Sequence, residues 1–98
     1  MQTESLVAVE VFCANHNIEI SFVSSLQQNG LIEVTTIQDT GFIDPAQIRD
    51  LERFIRFYYD LDINIEGIEA ITHMIRRINS MQDEITSLRN RLLLYENE

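Results

Sequence analysis

The residues of this 98-residue chain that could do chemistry are few and scattered. "DLDINIEG" (60–67) offers Asp60, Asp62, Asn64 and Glu66 at the alternating spacing of a calcium loop. Such a loop needs glycine at its sixth position for the turn and an acid at its twelfth to close the shell. Ile65 and Ile71 stand there, so the stretch reads instead as a link between helices, with Asn64 capping the second. His16 and His73 are the two histidines; even with Cys13 they fall short of the converging ligands a transition metal requires. Cys13 lies on an apolar face and reads as a small buried hydrophobe. The chain shows no serine–histidine–aspartate pattern, phosphate-cradling loop or paired-carboxylate pocket. The expectation is a non-enzymatic protein without cofactor or metal.

Charge says more than any motif. Sixteen acids against seven basic residues give a net −9, and every cation is arginine. Residues 1–48 contain Glu4, Glu10, Glu19, Glu33, Asp39 and Asp44 and no lysine or arginine. The basic residues begin at Arg49. Arg76 and Arg77, with Arg89 and Arg91, are the nearest thing to a basic patch, and they read as solvated flanks of a coiled coil facing Asp83 and Glu84 of a neighbouring chain. A chain of this charge repels nucleic acid and anionic membrane surfaces and is drawn to basic partners. One cysteine excludes an internal disulfide and fits a reducing compartment. The start, "MQTESLVAVE", has neither a basic leader nor a long apolar run, so a cytoplasmic location off the membrane is expected.

The elements that must position these residues follow from periodicity. "SLVAV" (5–9) favours a short strand running into a helix over about 9–16, where Val9, Phe12 and Cys13 share one face. Asn15–Asn17 end that helix. A second helix over about 20–29 buries Phe22, Val23 and Leu26, and Gly30 suits the left-handed position beyond its end. Val34–Ile37 and Phe42–Ile43 form a hairpin with turn chemistry at Asp39-Thr40-Gly41. Asp44, Pro45 and Gln47 make a capping box for a third helix, with Ile48, Leu51, Phe54, Ile55 and Tyr58 inward and a Glu52–Arg56 pair outward.

From about Ile65 to Glu96 the pattern is one long helix, roughly 45 Å at 1.5 Å per residue. Its apolar residues, from Ile68 through Ile75, Ile78, Met81, Ile85, Leu88 and Leu92 to Tyr95, step by threes and fours with one stammer near Met81. Nothing else in the chain is long enough to cover the distal half. An exposed seam of isoleucine and leucine implies a homodimer through Ile75, Ile78, Ile85, Leu88 and Leu92. The division expected is a winged helix-turn-helix domain at 1–62 and a dimerisation helix at 63–98. The fold class is mainly α, with a small β-hairpin wing.

"VFCANHNI" (11–18), "NGLIEV" (29–34), "IQDTGFID" (37–44), "DLERFIRFYYDLDINIEGIEAI" (50–71) and the long seam occur in the order and spacing of a known group. The chain resembles the MerR-like winged helix-turn-helix proteins and, within them, the chaperone modulator CbpM family. That resemblance implies a protein that binds the J-domain of a DnaJ-like co-chaperone and limits its stimulation of Hsp70. J-domains carry a basic helix, which an acidic surface would cover. The exposed acids Glu10, Glu19, Glu33, Asp39 and Asp44 are the expected contact residues. The alternative is a MerR-like transcriptional regulator, with the helix at 20–29 in the major groove. Its Ser21, Ser24, Ser25, Gln27, Gln28 and Asn29 can read base edges, but no neighbouring cation neutralises phosphate. A third reading, a cap on a larger assembly held by the long helix, stays open.

Overall fold

The computed structural model describes residues 5–97. A two-residue strand, β1 (Val7–Ala8), runs directly into α1 (Val9–His16), followed by α2 (Ile20–Gln28), β2 (Thr35–Ile37) and β3 (Thr40–Ile43). A 3-10 turn (Pro45–Gln47) leads into α3 (Ile48–Ile55), a π-helical turn (Arg56–Asp60) and the 32-residue α4 (Ile65–Glu96). A mainly helical winged helix-turn-helix with a long C-terminal helix is the expected class.

Both early helices stop by the same device. Asn17 takes a left-handed conformation, and the N–H groups of Asn17 and Ile18 donate to the carbonyls of Ala14 and Cys13. At the end of α2, Gly30 has φ +73°, and Gly30 and Leu31 donate to Gln27 and Leu26. Each end satisfies two carbonyls that the helix leaves unpaired. It also turns an apolar residue, Ile18 or Leu31, back onto the core.

The wing departs from expectation by one residue. Its turn is Gln38–Asp39, both at positive φ (50° and 64°), flanked by the pair Ile37 and Thr40. Two left-handed residues match the twist of the strands they join. Thr40 and Gly41 therefore belong to β3, not to the turn. Gly41 pairs with Thr36, and a β-carbon there would meet Val34 at 3.0 Å and Val9 at 3.3 Å. The glycine allows α1 and the loop before β2 to close over the sheet. β1 adds to the other edge of β3 (Val7 with Ile43, Ala8 with Phe42), so the sheet has three antiparallel strands in the order β1-β3-β2.

The start of the third helix also differs. Asp44 caps the 3-10 turn, accepting from the Ala46 N–H at 2.9 Å. Gln47 does not close a capping box. Its side chain crosses to Glu33, accepting from the Glu33 N–H and donating to the Glu33 carbonyl, both at 2.7 Å. Beyond Ile55 the helix widens: Leu61 N–H donates to Arg56 and Ile63 N–H to Phe57. Tyr58 is thereby turned out of the core. Glu52 faces His16, with His16 Nε2 3.7 Å from its Oε2, rather than pairing with Arg56 among the described residues. Asn64 caps α4 as expected, its Oδ1 accepting from the Gly67 N–H at 2.8 Å.

One core joins all of these. Leu26, Ile43, Leu51 and Ile68, one each from α2, β3, α3 and α4, are 0% exposed, with Phe12, Cys13, Phe22, Val23 and Phe54 around them. The burial of Ile68 fixes the root of α4 to the head. From Ile78 onward the helix leaves the head behind, and the molecule is 60 Å in its longest dimension.

Candidate functional site

In this arrangement α1 and α2 form a helix-turn-helix, and α2 presents its second face to solvent. Phe22, Val23 and Leu26 point inward because they recur at helical spacing, which leaves Ser21, Ser24, Gln27 and Gln28 exposed. Glu19 sits at the start of α2, where a carboxylate is favoured by the helix dipole, and accepts from the Ser21 hydroxyl at 3.2 Å. Between α1, α2 and the wing runs a shallow groove of about 180 Å³, lined by Glu10, Ile20, Ser24, Gln27 and Val34. Its lining carries no positive charge among the described residues.

The five acids expected to meet a partner occupy four places. Glu10 lines that groove and Glu19 begins α2. Asp39 is at the tip of the wing. Glu33 and Asp44 are brought together at the Pro45–Gln47 turn, one clamped by Gln47 and the other capping the turn. Asp44 is half-buried and the other four are exposed.

Three features were not foreseen from the sequence. At the π-helical turn, Tyr58 and Tyr59 gather on Phe22, with ring centroids 4.6 and 5.3 Å from it and 5.0 Å from each other. The Tyr59 hydroxyl accepts from the Glu19 N–H at 3.3 Å, tying this cluster to the start of α2. Three consecutive aromatics (57–59) were the available signal, since successive helical side chains point about 100° apart and cannot all be buried on one face. The second feature is the Gln47 clamp. The third is a cleft of about 320 Å³ between α3 and α4, where Arg49, Arg53 and Arg76 gather with Asp50 over Phe54 and Ile75. Three of the seven arginines of this acidic chain thus lie at the root of α4.

Cys13 and His16 sit one helical turn apart without forming a reactive pair. Cys13 is buried, and burial pushes its thiol up from the ordinary value of 9.0. His16 stacks on Phe12 with centroids 4.0 Å apart, and its Nδ1 is 3.0 Å from the Phe12 carbonyl oxygen. No group of three or more histidine, cysteine, aspartate or glutamate residues that could hold a metal occurs among the described residues. Nor is any described helix long and apolar enough to cross a membrane.

Along α4 the expected seam divides. Ile75 is half-buried beside α3, while Ile78, Ile85, Leu88 and Leu92 are open to solvent.

Two packed helices, a wing beside the second and a long trailing helix define a winged helix-turn-helix module of the regulator type. The chain belongs to the MerR HTH regulatory protein family: the model described as "MerR HTH family regulatory protein" matches residues 7–90. No curated protein and no solved structure matches the chain.

Proposed function

We propose that the chain is a non-enzymatic chaperone modulator: it binds the J-domain of a DnaJ-like co-chaperone through its acidic head and limits the stimulation of Hsp70. The observation that carries this reading is the outward face of α2, the face a regulator of this fold turns to DNA. It displays serine and glutamine, begins at Glu19 and has Glu10 beside it in the groove, with no lysine or arginine before Arg49. Phosphate contacts dominate DNA affinity, so a head of this charge opposes the approach of a duplex. The same charge speeds and orients the encounter with a basic helix. Glu10, Glu19, Glu33, Asp39 and Asp44 supply that field. The resemblance to the CbpM family points to the same partner. The protein acts as a homodimer, held through the exposed α4 residues Ile78, Ile85, Leu88 and Leu92, with Ile75 at the base of the seam.

The second reading, a DNA-binding regulator, rests on Ser21, Ser24, Gln27 and Gln28, which are exposed on α2 and able to bond base edges. One titration separates the two. The protein is mixed at low salt with a purified J-domain and, in parallel, with a library of short duplexes. J-domain binding that weakens with salt is the expected result. Sequence-dependent duplex binding without J-domain binding would replace the first reading by the second.

A further inference from the structure

We propose that the aromatic cleft at the π-helical turn is the anchoring surface for a basic amphipathic helix, with Tyr58 and Tyr59 of its lining as apolar contacts and Leu61, the exposed residue preceding Asp62, as a third. This deepens the reading of the protein as a J-domain binder and rests on it for the partner's name, though not for the partner's chemistry.

A cleft of about 370 Å³ opens here, lined by Tyr58, Tyr59, Asp62, Ile63 and Asn64. Tyr58 and Tyr59 remain 38% and 40% exposed and Leu61 62%. The wider turn of Arg56–Asp60 is what presents them. Their positions are fixed: Tyr58 and Tyr59 rest on Phe22, itself buried, and Tyr59 is bonded to the α2 backbone. A rigid pair of tyrosines gives contact area at little entropic cost, which is why tyrosine recurs among the residues that dominate interfaces.

Charge chooses the occupant. Asp62 is in the lining, Asp60 lies between the tyrosines and Leu61 in sequence, and Glu19 adjoins Tyr59. No cation lines the cleft among the described residues. Lysine or arginine set over a tyrosine face gains a cation–π contact, and nearby carboxylates add to it. A helix bearing cations on one side and leucine-like residues beside them meets both demands. Of the five acids expected to meet a partner, Glu19 is the one whose backbone N–H bonds a residue of this cleft.

The test uses the full chain with Tyr95→Phe. The chain has three tyrosines and no tryptophan, so this change leaves Tyr58 and Tyr59 as the reporters of intrinsic emission. Titration with a J-domain should change that emission. Tyr58→Ser with Leu61→Ser should weaken binding about tenfold or more, the size of effect expected of an interface centre. Asp60→Asn with Asp62→Asn should slow association and flatten its salt dependence. Circular dichroism at the titration temperature shows that each variant is folded, since loss of the Tyr58–Phe22 contact lowers the melting temperature of the first, and Leu61→Ser alone serves where that variant does not fold. If the parent binds the J-domain and the Tyr58/Leu61 variant binds it equally well, the cleft is not the anchor, while the chaperone reading survives. If the parent ignores the J-domain, a synthetic amphipathic helix with lysines on one face and leucines beside them decides the matter. Because that variant lacks one of the two reporters, calorimetry decides: saturable binding heat in the parent that the Tyr58/Leu61 variant loses upholds the cleft, and no binding by the parent overturns it. An emission change on dilution alone would assign the cleft to a second copy of the chain and overturn the proposal.

Discussion

Gln47 holds Glu33 by both sides of its peptide: the Gln47 side chain accepts from the Glu33 N–H and donates to the Glu33 carbonyl, each at 2.7 Å. The two residues are fourteen apart in the chain. The clamp imitates one rung of a β-ladder and fixes the loop between α2 and the wing to the foot of α3. Gln47→Ala should lower stability by about 1–2 kcal/mol, two partly solvated hydrogen bonds at the usual net value. Gln47→Glu keeps the acceptor but loses the donor and sets a carboxylate against a carbonyl, so it should do no better at neutral pH. Urea unfolding reports both, and stability equal to the parent in both variants would remove the clamp from the account of the wing.

Gly41 is required by close approach. A methyl group there would meet Val34 at 3.0 Å and Val9 at 3.3 Å, both from segments fixed by the core. Gly41→Ala should cost about 1–3 kcal/mol, the usual penalty of overfilling a packed site. Val34→Ala makes room, so the double variant should recover part of that loss despite carrying two changes. A purely additive double variant in thermal unfolding would show that Val34 is not the obstacle.

These two residues show where the sequence was legible. The helices, their stops at Asn17 and Gly30, the buried triplet of α2 and the cap at Asn64 depend on local rules of spacing and backbone conformation, and such rules can be read from the chain alone. Spacing gives Gln47 and Gly41 local roles, a capping box and a turn, because only sequence neighbours enter a local rule. Their roles in the structure depend on segments distant in sequence, Glu33 in one case and Val9 in the other. Helical periodicity puts Tyr58 in the core because it assumes a uniform helix, and the π-turn at Arg56–Asp60 breaks the period. The acids expected to meet a partner were legible as charge, but not as places. Nothing in their spacing shows that Gln47 ties the Glu33 backbone to the turn that Asp44 caps.

Cys13 should behave as a protected thiol. Burial favours the neutral form and raises its pKa above the ordinary value, so at neutral pH it remains protonated and covered. A disulfide reagent should modify the native protein slowly at pH 7–8, and much faster after denaturant is added. The linkage has a definite sign. A thiol whose folded pKa is raised contributes stability that is fully present below the unfolded pKa near 9.0 and is lost as pH rises through the folded value. Cys13→Ala should therefore flatten the alkaline limb of the stability curve, while leaving a small cavity that lowers stability at neutral pH. Rapid labelling of the native chain at pH 7 would contradict this placement.

The distal half of α4 makes the strongest demand for a second chain. Ile85 and Leu88 are 50% and 54% exposed, and the same seam continues through Ile78 and Leu92. Fully burying one such side chain contributes about 1.5–3 kcal/mol, so several half-exposed ones from two copies together reach the size of the cost of joining two rigid helices. Sedimentation at micromolar concentration should report a dimer. Ile85→Asp with Leu88→Asp places charge in the middle of the seam and should give a monomer, with the head still folded because Ile68 anchors α4 well away from the change. Salt distinguishes this contact from the one proposed for the head. An apolar seam should hold its association constant nearly unchanged as ionic strength rises, whereas binding steered by carboxylates should weaken. A parent chain that sediments as a monomer, or an Ile85/Leu88 variant that keeps the mass of a dimer, would show that the helix associates through another face or not at all.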